Sequence, residues 1–557
     1  MFVLLLSLWK YLRNEHSFTL YAIILVLTYI FWKIAKHLYF YPRFFSPLRG
    51  VPGPPLDSMI TGQFGEIIRG EAGIPQRAWV KQYGPVVRVV GPIGIERLIF
   101  MNPEAIHKIL VTDWMDYPRP KFMRDVLGFA TGHGLLTVSG HEHKHMRKAV
   151  NPAFSLSSLI SQNDTFYDAI EGLVNIIDNH INDEQNPHRE TRFPMYEWLS
   201  KATLDIICAI AFGYNSNSLQ NPRNELVEAY EILNSTENGA DLACFIAILS
   251  IPGMARLLRS NWATKNRHIF SWLSITESLN DGLGCMETIR RVVSGMLSKK
   301  KADSSGLQED AEVQGDIMNI LLQTQMRIRA QRESVKAPIA TGIQAVNGMN
   351  DEEIVNQVLT FLSAGHETTA SGLAWTLWLL AKDPATQKRL RKEVTPVFTE
   401  GARPGYRELK DLQWLDCVVQ ESLRVMPPVP MTLRQAAKTD YIDGVVVPKG
   451  TFLYIPIRVI NTWKKVWGDD AEEFNPGRWL NLPQNYNSTT SALSFIVGPH
   501  ACIGKTMAIF EMKAFLGALI SNFEFEPAYE GQVPQPAAAV IMKPMDKLLL
   551  CIRRVVR

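Results

Sequence analysis

The segment Phe495-Ile-Val-Gly-Pro-His-Ala-Cys-Ile-Gly504 sets one cysteine, Cys502, in a turn bracketed by glycines. Such a setting suits a thiolate metal ligand, which needs backbone N–H donors to the sulfur and room for a flat macrocycle to approach. Gly498 permits a tight turn and Gly504 a close backbone approach. The amphipathic run Lys505 to Phe523 predicts a helix whose positive end points at the sulfur, and Phe495 can pack beside it and limit water. The other cysteines, Cys208, Cys244, Cys285, Cys417 and Cys551, are scattered, with no C-x-x-C pair and no spacing suited to structural zinc. They read as reduced thiols facing a cytosol-like compartment.

Three more segments carry chemistry-bearing residues. Ala364-Gly-His-Glu-Thr-Thr369 lies inside a long apolar stretch, where a Thr hydroxyl bonded to a main-chain carbonyl would open a helix ladder locally. Glu421-Ser-Leu-Arg424 places an acid and a base at i, i+3, neighbours on one helix face. His141-Glu142-His143-Lys144-His145 contains, taken literally, the H-E-x-x-H of zinc metalloproteases, but no Gly or third His follows at the spacing such enzymes use.

In their order these segments resemble the cytochrome P450 family over roughly residues 50 to 550. Phe495, Gly498, Cys502 and Gly504 match its F-x-x-G-x-R-x-C-x-G loop, with His500 where Arg is usual. Glu421 and Arg424 match E-x-x-R, and Phe474-Asn-Pro-Gly-Arg478-Trp479 matches F-x-P-x-R-W. Ala364 to Thr369 match [AG]-G-x-[DE]-T-[TS]. The resemblance implies haem b (iron protoporphyrin IX) with Cys502 as the axial iron ligand, lying against the small residues Ala364 and Gly365. It implies Glu367 and Thr368 as a proton relay, and Arg478 reaching back to Glu421 and Arg424 as a structural charge network. It implies haem propionate contacts from His143 and Arg147 at i, i+4, from Arg434 after the Pro427-Pro428-Val429-Pro430 turn, and from His500. His143 is a second departure, since Trp is common there.

The implied reaction inserts one oxygen of O₂ into an apolar small molecule and reduces the other to water. No flavin or nicotinamide glycine fingerprint occurs on the chain, so the resemblance implies NADPH-derived electrons from a separate membrane-bound NADPH–cytochrome P450 reductase, and it admits cytochrome b5 as a second donor. The family's style of sequence is that of microsomal, fungal-type members, many of which act in secondary metabolism on terpenoids and related compounds. A family isomerase or dehydratase working without a reductase is the main alternative; Glu367 and Thr368 argue against it, because oxygen activation needs their proton supply. The zinc metalloprotease is the other alternative.

The elements that must position these residues follow from periodicity. The implied fold is mainly α with a small β-rich subdomain. Asn350 is a good N-cap with Glu353 three residues on, and the apolar pattern runs to Ala381 before Asp383-Pro384 stops it. That is about 32 residues, or roughly 48 Å at 1.5 Å per residue. A second helix is predicted over Met195 to Phe212. Strand-like runs fall at Val86 to Val90, Arg97 to Phe100, Gly444 to Val447 and Thr451 to Ile457. The polar stretches Lys299 to Gly315 and Arg327 to Gly348 read as solvated loops or helix ends. The substrate pocket is expected from Tyr117 to Leu136, Leu359 to Ala364 and Val429 to Leu433.

Residues Phe18 to Trp32 carry no charge, and Phe2 to Trp9 form a shorter apolar run before them. With Tyr39, Phe40 and Tyr41 at the interface and Lys33 and Lys36 snorkelling, residues 1–40 are expected to be an N-terminal membrane anchor, a transmembrane helix spanning about 18–40. Lys33, Lys36, Arg43 and Arg49 after it outweigh Lys10 and Arg13 before it, which puts the rest in the cytosol, on the endoplasmic reticulum. Pro42, Pro47 and Pro52-Gly53-Pro54-Pro55 mark residues 41–56 as a semi-rigid hinge, followed by a single catalytic domain over 57–557. The sequons at Asn163, Asn234 and Asn487 would then face away from glycosylation and read as chance matches. With 58 basic and 55 acidic residues among 557, nothing points to a nucleic-acid partner; the expected partners are a reductase, membrane lipid and the substrate.

Overall fold

The computed structural model describes residues 17–182, 191–221, 224–235, 244, 246–249, 251, 253–272, 277–304, 316–323, 349–537 and 540–555. The run Phe2 to Trp9, the stretch Arg327 to Gly348 and the second half of Lys299 to Gly315 lie outside them. In chain order the longer elements are α1 (Ser17–Ala35), α2 (Ile74–Tyr83), β1 (Val86–Val90), β2 (Glu96–Phe100), α3 (Gly140–Val150), α4 (Asn163–Asn182), β3 (Thr191–Pro194), α5 (Met195–Phe212), α6 (Glu225–Ser235) and α7 (Glu277–Ser304). There follow α8 (Asp351–Lys382), α9 (Pro384–Val394), α10 (Gln413–Val425), β4 (Thr432–Gln435), β5 (Asp440–Ile442), β6 (Val445–Val447), β7 (Phe452–Ile455), α11 (Lys505–Asn522), β8 (Phe523–Pro527) and β9 (Leu549–Arg554).

The chain is thus mainly α. Helix α8 begins where its capping signal lies: Asn350 Oδ1 accepts from the Glu353 N–H at 2.9 Å and the Glu353 carboxylate accepts from the Asn350 N–H at 2.7 Å. Asp351, Glu352 and Glu353 all fall in its first turn, beside the positive helix end. Asp383 then caps α9, accepting from the Thr386 N–H at 3.0 Å, with Pro384 in the first helical position. Leu362, Ala370, Leu373, Trp375 and Leu377 of α8 are buried in the large helical core that α5, α10 and α11 share.

A second core surrounds a four-stranded sheet of order β1-β2-β7-β4, in which only the β2–β7 pair is parallel. Strands β3, β9 and β8 form a separate antiparallel sheet, and β5 and β6 a hairpin. The expected run Thr451 to Ile457 is split: β7 ends at Ile455, and after Pro456 the chain turns into a short helix, Ile457–Asn461.

The expected span over 18–40 is not seen as one continuous helix. Among the described residues no helix is long and apolar enough to cross a membrane. Helix α1 stops at Ala35, and the chain continues to Phe45 in a wider π-helical winding that holds Lys36, Arg43 and Pro42. The segment that follows is tied to the sheet. Arg88 donates to the Pro42 carbonyl at 2.6 Å, its N–H to Pro52 at 2.9 Å, and a side chain at Gly53 would run into the Arg88 carbonyl.

Candidate active site

Cys502 sits one turn before α11. Its N–H donates to the Phe495 carbonyl at 2.8 Å and the Ala501 N–H to Gly498 at 2.9 Å, closing the loop on itself. Gly498 has φ +76°, and a Cβ there would collide with the Leu110 carbonyl, so both the turn and the close approach require glycine. The Cys502 side chain is exposed on one side. Dense protein encloses it otherwise, and that desolvation raises the thiol pKa against the Gly504 N–H, Arg147 and Lys505, which lower it. Binding a metal cation deprotonates a coordinating thiol outright.

On α8, Ala364 is exposed and Thr368 half-buried. Thr368 Oγ1 donates to the Ala364 carbonyl at 2.7 Å, Thr369 Oγ1 to Gly365 at 3.1 Å, and Thr203 Oγ1 of α5 to His366 at 3.1 Å. Three successive carbonyls thus lie against side-chain hydroxyls, an arrangement that competes with the ladder where the motif lies, although the helix runs on unbroken. Gly365 has a different use from the one expected. A Cβ there would strike the Ile207 side chain, so it lets α5 approach α8, while Ala364 presents the small surface. Glu367 is buried. Glu511 of α11, absent from the expectations above, is buried behind the same turn beside Thr369, and desolvation pushes its carboxyl pKa well up. An isolated Glu in an amphipathic helix carries no signal that would have singled it out.

Glu421, Arg424 and Arg478 form one buried network. Arg424 meets Glu421 through Nε at 2.7 Å and Nη2 at 2.8 Å, and Arg478 Nε reaches Glu421 Oε1 at 2.8 Å. The Asn475 N–H and Trp479 Nε1 donate to the same carboxylate, both at 2.9 Å, and Arg478 also pairs with Asp470 at 2.9 Å. Every acceptor site of the buried acid is used, as a buried charge requires.

The remaining predicted residues converge. His143 and His500 lie with ring centroids 3.9 Å apart, each edge-on to Trp114, at 6.0 and 5.3 Å. Arg147 donates to the Ala501 carbonyl at 2.5 Å, next to the cysteine. Arg434, fully buried, spends Nη1 on Thr432 and Leu433, and its Nη2 has no partner among the described residues; nor has Nδ1 of His143 or of His500. Arg119 joins them, donating to the Leu136 carbonyl at 2.8 Å. Burial first, then the neighbouring arginines, push His143 to about 4 and His500 to about 2. No carboxylate is among the charges that act on either imidazole or on Arg434. Buried cations with unfilled donors and no acid call for anionic oxygens from outside the chain, which the two propionates of haem supply. The residues fit that group. Arg119 and Trp114 were missed; the only hint was Arg119 between Pro118 and Pro120 in a segment expected to line the pocket.

His141 and Glu142 face solvent on the other side of α3, and among the described residues no three His, Cys, Asp or Glu side chains are grouped to hold a metal ion. The loop before α3 packs on α8: Thr360 Oγ1 donates to the Thr131 carbonyl at 2.9 Å and the Leu135 N–H to Gln357 at 3.1 Å. Two of the expected pocket segments therefore meet. Tyr117 does not join them; it is buried with its hydroxyl on Asp440 at 2.6 Å.

A mainly helical chain with this cysteine loop, an acid-free cationic cluster against it and the Ala364–Thr369 motif on a long helix has the features of the haem-thiolate class. Residues 52–552 match the model of the family described as Cytochrome P450. The chain is similar to a cytochrome P450 monooxygenase of Postia placenta, 32% identical over 528 residues and covering 90% of each chain. It is also similar to a cytochrome P450 monooxygenase of Aspergillus fumigatus, 30% identical over 89% of this chain and 86% of that one. A ganoderic acid synthetase of Ganoderma lucidum is 30% identical over 93% and 94%. The chain belongs to the cytochrome P450 family and is a monooxygenase of it.

Proposed function

We propose that the protein hydroxylates an apolar small molecule of fungal secondary metabolism, a terpenoid or a compound like it, using O₂ and electrons that NADPH supplies through a separate cytochrome P450 reductase. Cys502 would hold the haem iron, and Arg119, Arg147, Arg434, His143 and His500 the propionates. Bound haem supplies the oxygen-activating chemistry, which a thiolate ligand favours. The chain's own part is to orient and to move protons. Ala364, small and exposed, would leave room for the haem, Thr368 would hold a hydroxyl one turn on, and Glu367, its neighbour in the chain, would replace the proton Thr368 gives up. The reading rests on one observation above all: against the Cys502 loop, where Arg147 donates to the Ala501 carbonyl, lies a cationic cluster with no acid among the charges that act on it.

The test is a spectrum. Reduced, CO-treated protein should show the strongly red-shifted Soret band of thiolate-ligated haem, and Cys502→Ser should lose it. Haem-loaded wild type without that band would sink the ligand assignment. Product formation should require NADPH together with a reductase.

We further propose that residues 1–40 anchor the protein to the endoplasmic reticulum, with residues 41–56 as the connection and the catalytic domain, 57–557, on the cytosolic side. Support comes from the lipid-like surface of α1, where Leu25 is 70% and Phe31 73% exposed, and from exposed Phe44, Phe45, Met59, Ile60 and Ile93 beyond it. The full chain should float with membranes after alkaline extraction; recovery in the soluble fraction would refute the anchor.

A further inference from the structure

Arg97 is a cation inside the sheet core with nothing anionic beside it. In the register of the four-stranded sheet, Leu98, Leu453 and Arg434 lie opposite one another and share one face, whereas Val89, Arg97 and Phe452 share the other, with Tyr454 two residues along. Arg97 therefore points away from the cluster around Arg434, and none of that cluster's cations acts on it. It is 7% exposed. Its guanidinium lies 5.8 Å from the Phe64 ring and 5.9 Å from the Tyr454 ring. Among the described residues it makes no hydrogen bond or ion pair, and its Nε is buried without a partner.

Gln76 of α2 repeats the pattern. It is 1% exposed, and neither amide atom has a partner in hydrogen-bonding geometry, although the amide lies close enough to the Tyr454 hydroxyl to act on it. The backbone also closes on the spot, since a Cβ at Gly91 would meet the Arg97 guanidinium at 2.8 Å. A buried lysine could shed its proton; a guanidinium stays charged. An isolated buried charge is among the costliest arrangements a fold can hold, and folds keep one only where a counter-charge is present. The available groups here are almost all donors: five N–H of Arg97, the Gln76 amide NH₂ and the Tyr454 hydroxyl.

We propose that Arg97, Gln76 and Tyr454 form an internal binding site for a small monovalent anion, either a halide or the carboxylate of a small acid. The anion pins α2 to the sheet through Gln76 on one side and Arg97 on the other. It is separate from the cysteine loop, and the proposal stands whatever substrate the enzyme takes.

The experiment uses the full-length, haem-loaded protein at fixed ionic strength, with a bulky sulfonate buffer anion replaced stepwise by chloride or by acetate. The thermal midpoint should rise by a few degrees with anion concentration, in chloride alone if the site takes halides and more strongly in acetate if it takes carboxylates. Arg97→Met should abolish the rise and Gln76→Leu should move its midpoint to several-fold higher anion concentration. Crystals soaked in bromide should give an anomalous peak within hydrogen-bonding distance of Arg97. The inference is overturned by equal midpoints in all three salts, or by a rise that survives in Arg97→Met. Should that variant not fold, wild-type crystals soaked in bromide and in acetate decide: neither a bromide peak nor a bound carboxylate at Arg97 ends the proposal.

Discussion

Arg424 donates to the Asn461 carbonyl at 3.0 Å, and the Asn461 side chain in turn accepts the Leu493 N–H at 2.7 Å and donates to Ser494 Oγ at 2.9 Å. Ser494 closes the circuit on the Leu423 carbonyl at 2.7 Å. The charge network on α10 and the loop that carries Cys502 are therefore one hydrogen-bonded unit. Arg424 also donates to the Ala471 and Glu473 carbonyls, at 2.5 and 3.0 Å. Five N–H donors in a rigid fork let one side chain bridge an acid and three backbone carbonyls, a task that a lysine ammonium cannot reproduce.

Arg424→Lys should therefore behave as a disruption. Breaking a buried pair while its partner stays charged costs about 3–5 kcal/mol, and Glu421 would lose two bonds at once. The expected outcome is a protein that expresses poorly, melts early and retains little haem. Urea unfolding together with the haem-to-protein ratio measures both. A variant with wild-type haem content and midpoint would show that the network does not position the cysteine loop.

The chemistry-bearing residues could be read from sequence because each sits in a local pattern. The capping pair Asn350 and Glu353 fixes where α8 starts, and Gly498 marks a turn that only glycine makes easily. What stayed hidden depends on distant partners. Strands β3, β8 and β9 are four to six residues long, and β3 pairs with residues more than 350 positions away, so neither length nor alternation announces them. Arg119 is a site residue only because folding brings it beside His143, His500 and Arg434. The role expected of Gly365 changed for a similar reason: a small residue in a helix does not say which neighbour needs the space.

His500 offers a gain of function. Where the family has arginine, this chain has an imidazole that burial and three arginines keep neutral. A charge-assisted bond is roughly twice as strong as a neutral one. His500→Arg should slow haem loss to an acceptor protein several-fold at pH 7, provided Trp114 and His143 make room. Faster loss would mean that the imidazole pair is the better propionate partner in this packing.

Two buried groups should tilt stability with pH in opposite directions. His366 is 1% exposed, and its Nδ1 lies 2.7 Å from the Leu362 carbonyl, which can only accept, so Nδ1 carries the hydrogen. Burial pushes its pKa down to about 4. The unfolded chain takes up a proton below about pH 6.5 while the folded one does not, so stability should fall from there toward pH 4, by on the order of 3 kcal/mol in full. Glu511 is shifted the other way. Its unfolded form ionises above about pH 4.3 while the folded form stays neutral, so its share of stability is lost as pH rises. Unfolding free energies measured across this range should flatten on the acid side in His366→Gln and on the alkaline side in Glu511→Gln. Unchanged slopes would show that neither group is buried in its neutral form.

Thr368 separates oxygen activation from mere oxygen use. Its hydroxyl is 2.7 Å from the Ala364 carbonyl, so it donates to the helix and keeps its lone pairs for accepting a hydrogen bond. Removing a group that serves proton delivery typically costs 10²–10⁴-fold in the step it serves, while the electron supply proposed above, from a separate reductase, would be unaffected. Thr368→Ala should therefore consume NADPH at near the normal rate and return it as hydrogen peroxide, with product per NADPH falling at least tenfold. Thr368→Ser, which restores the hydroxyl, should recover most of the coupling. The CO spectrum of both variants should match wild type, because Cys502 is untouched. If Thr368→Ala stays coupled, the proton must come past Glu367 by another path, and Thr368 only bonds to the helix.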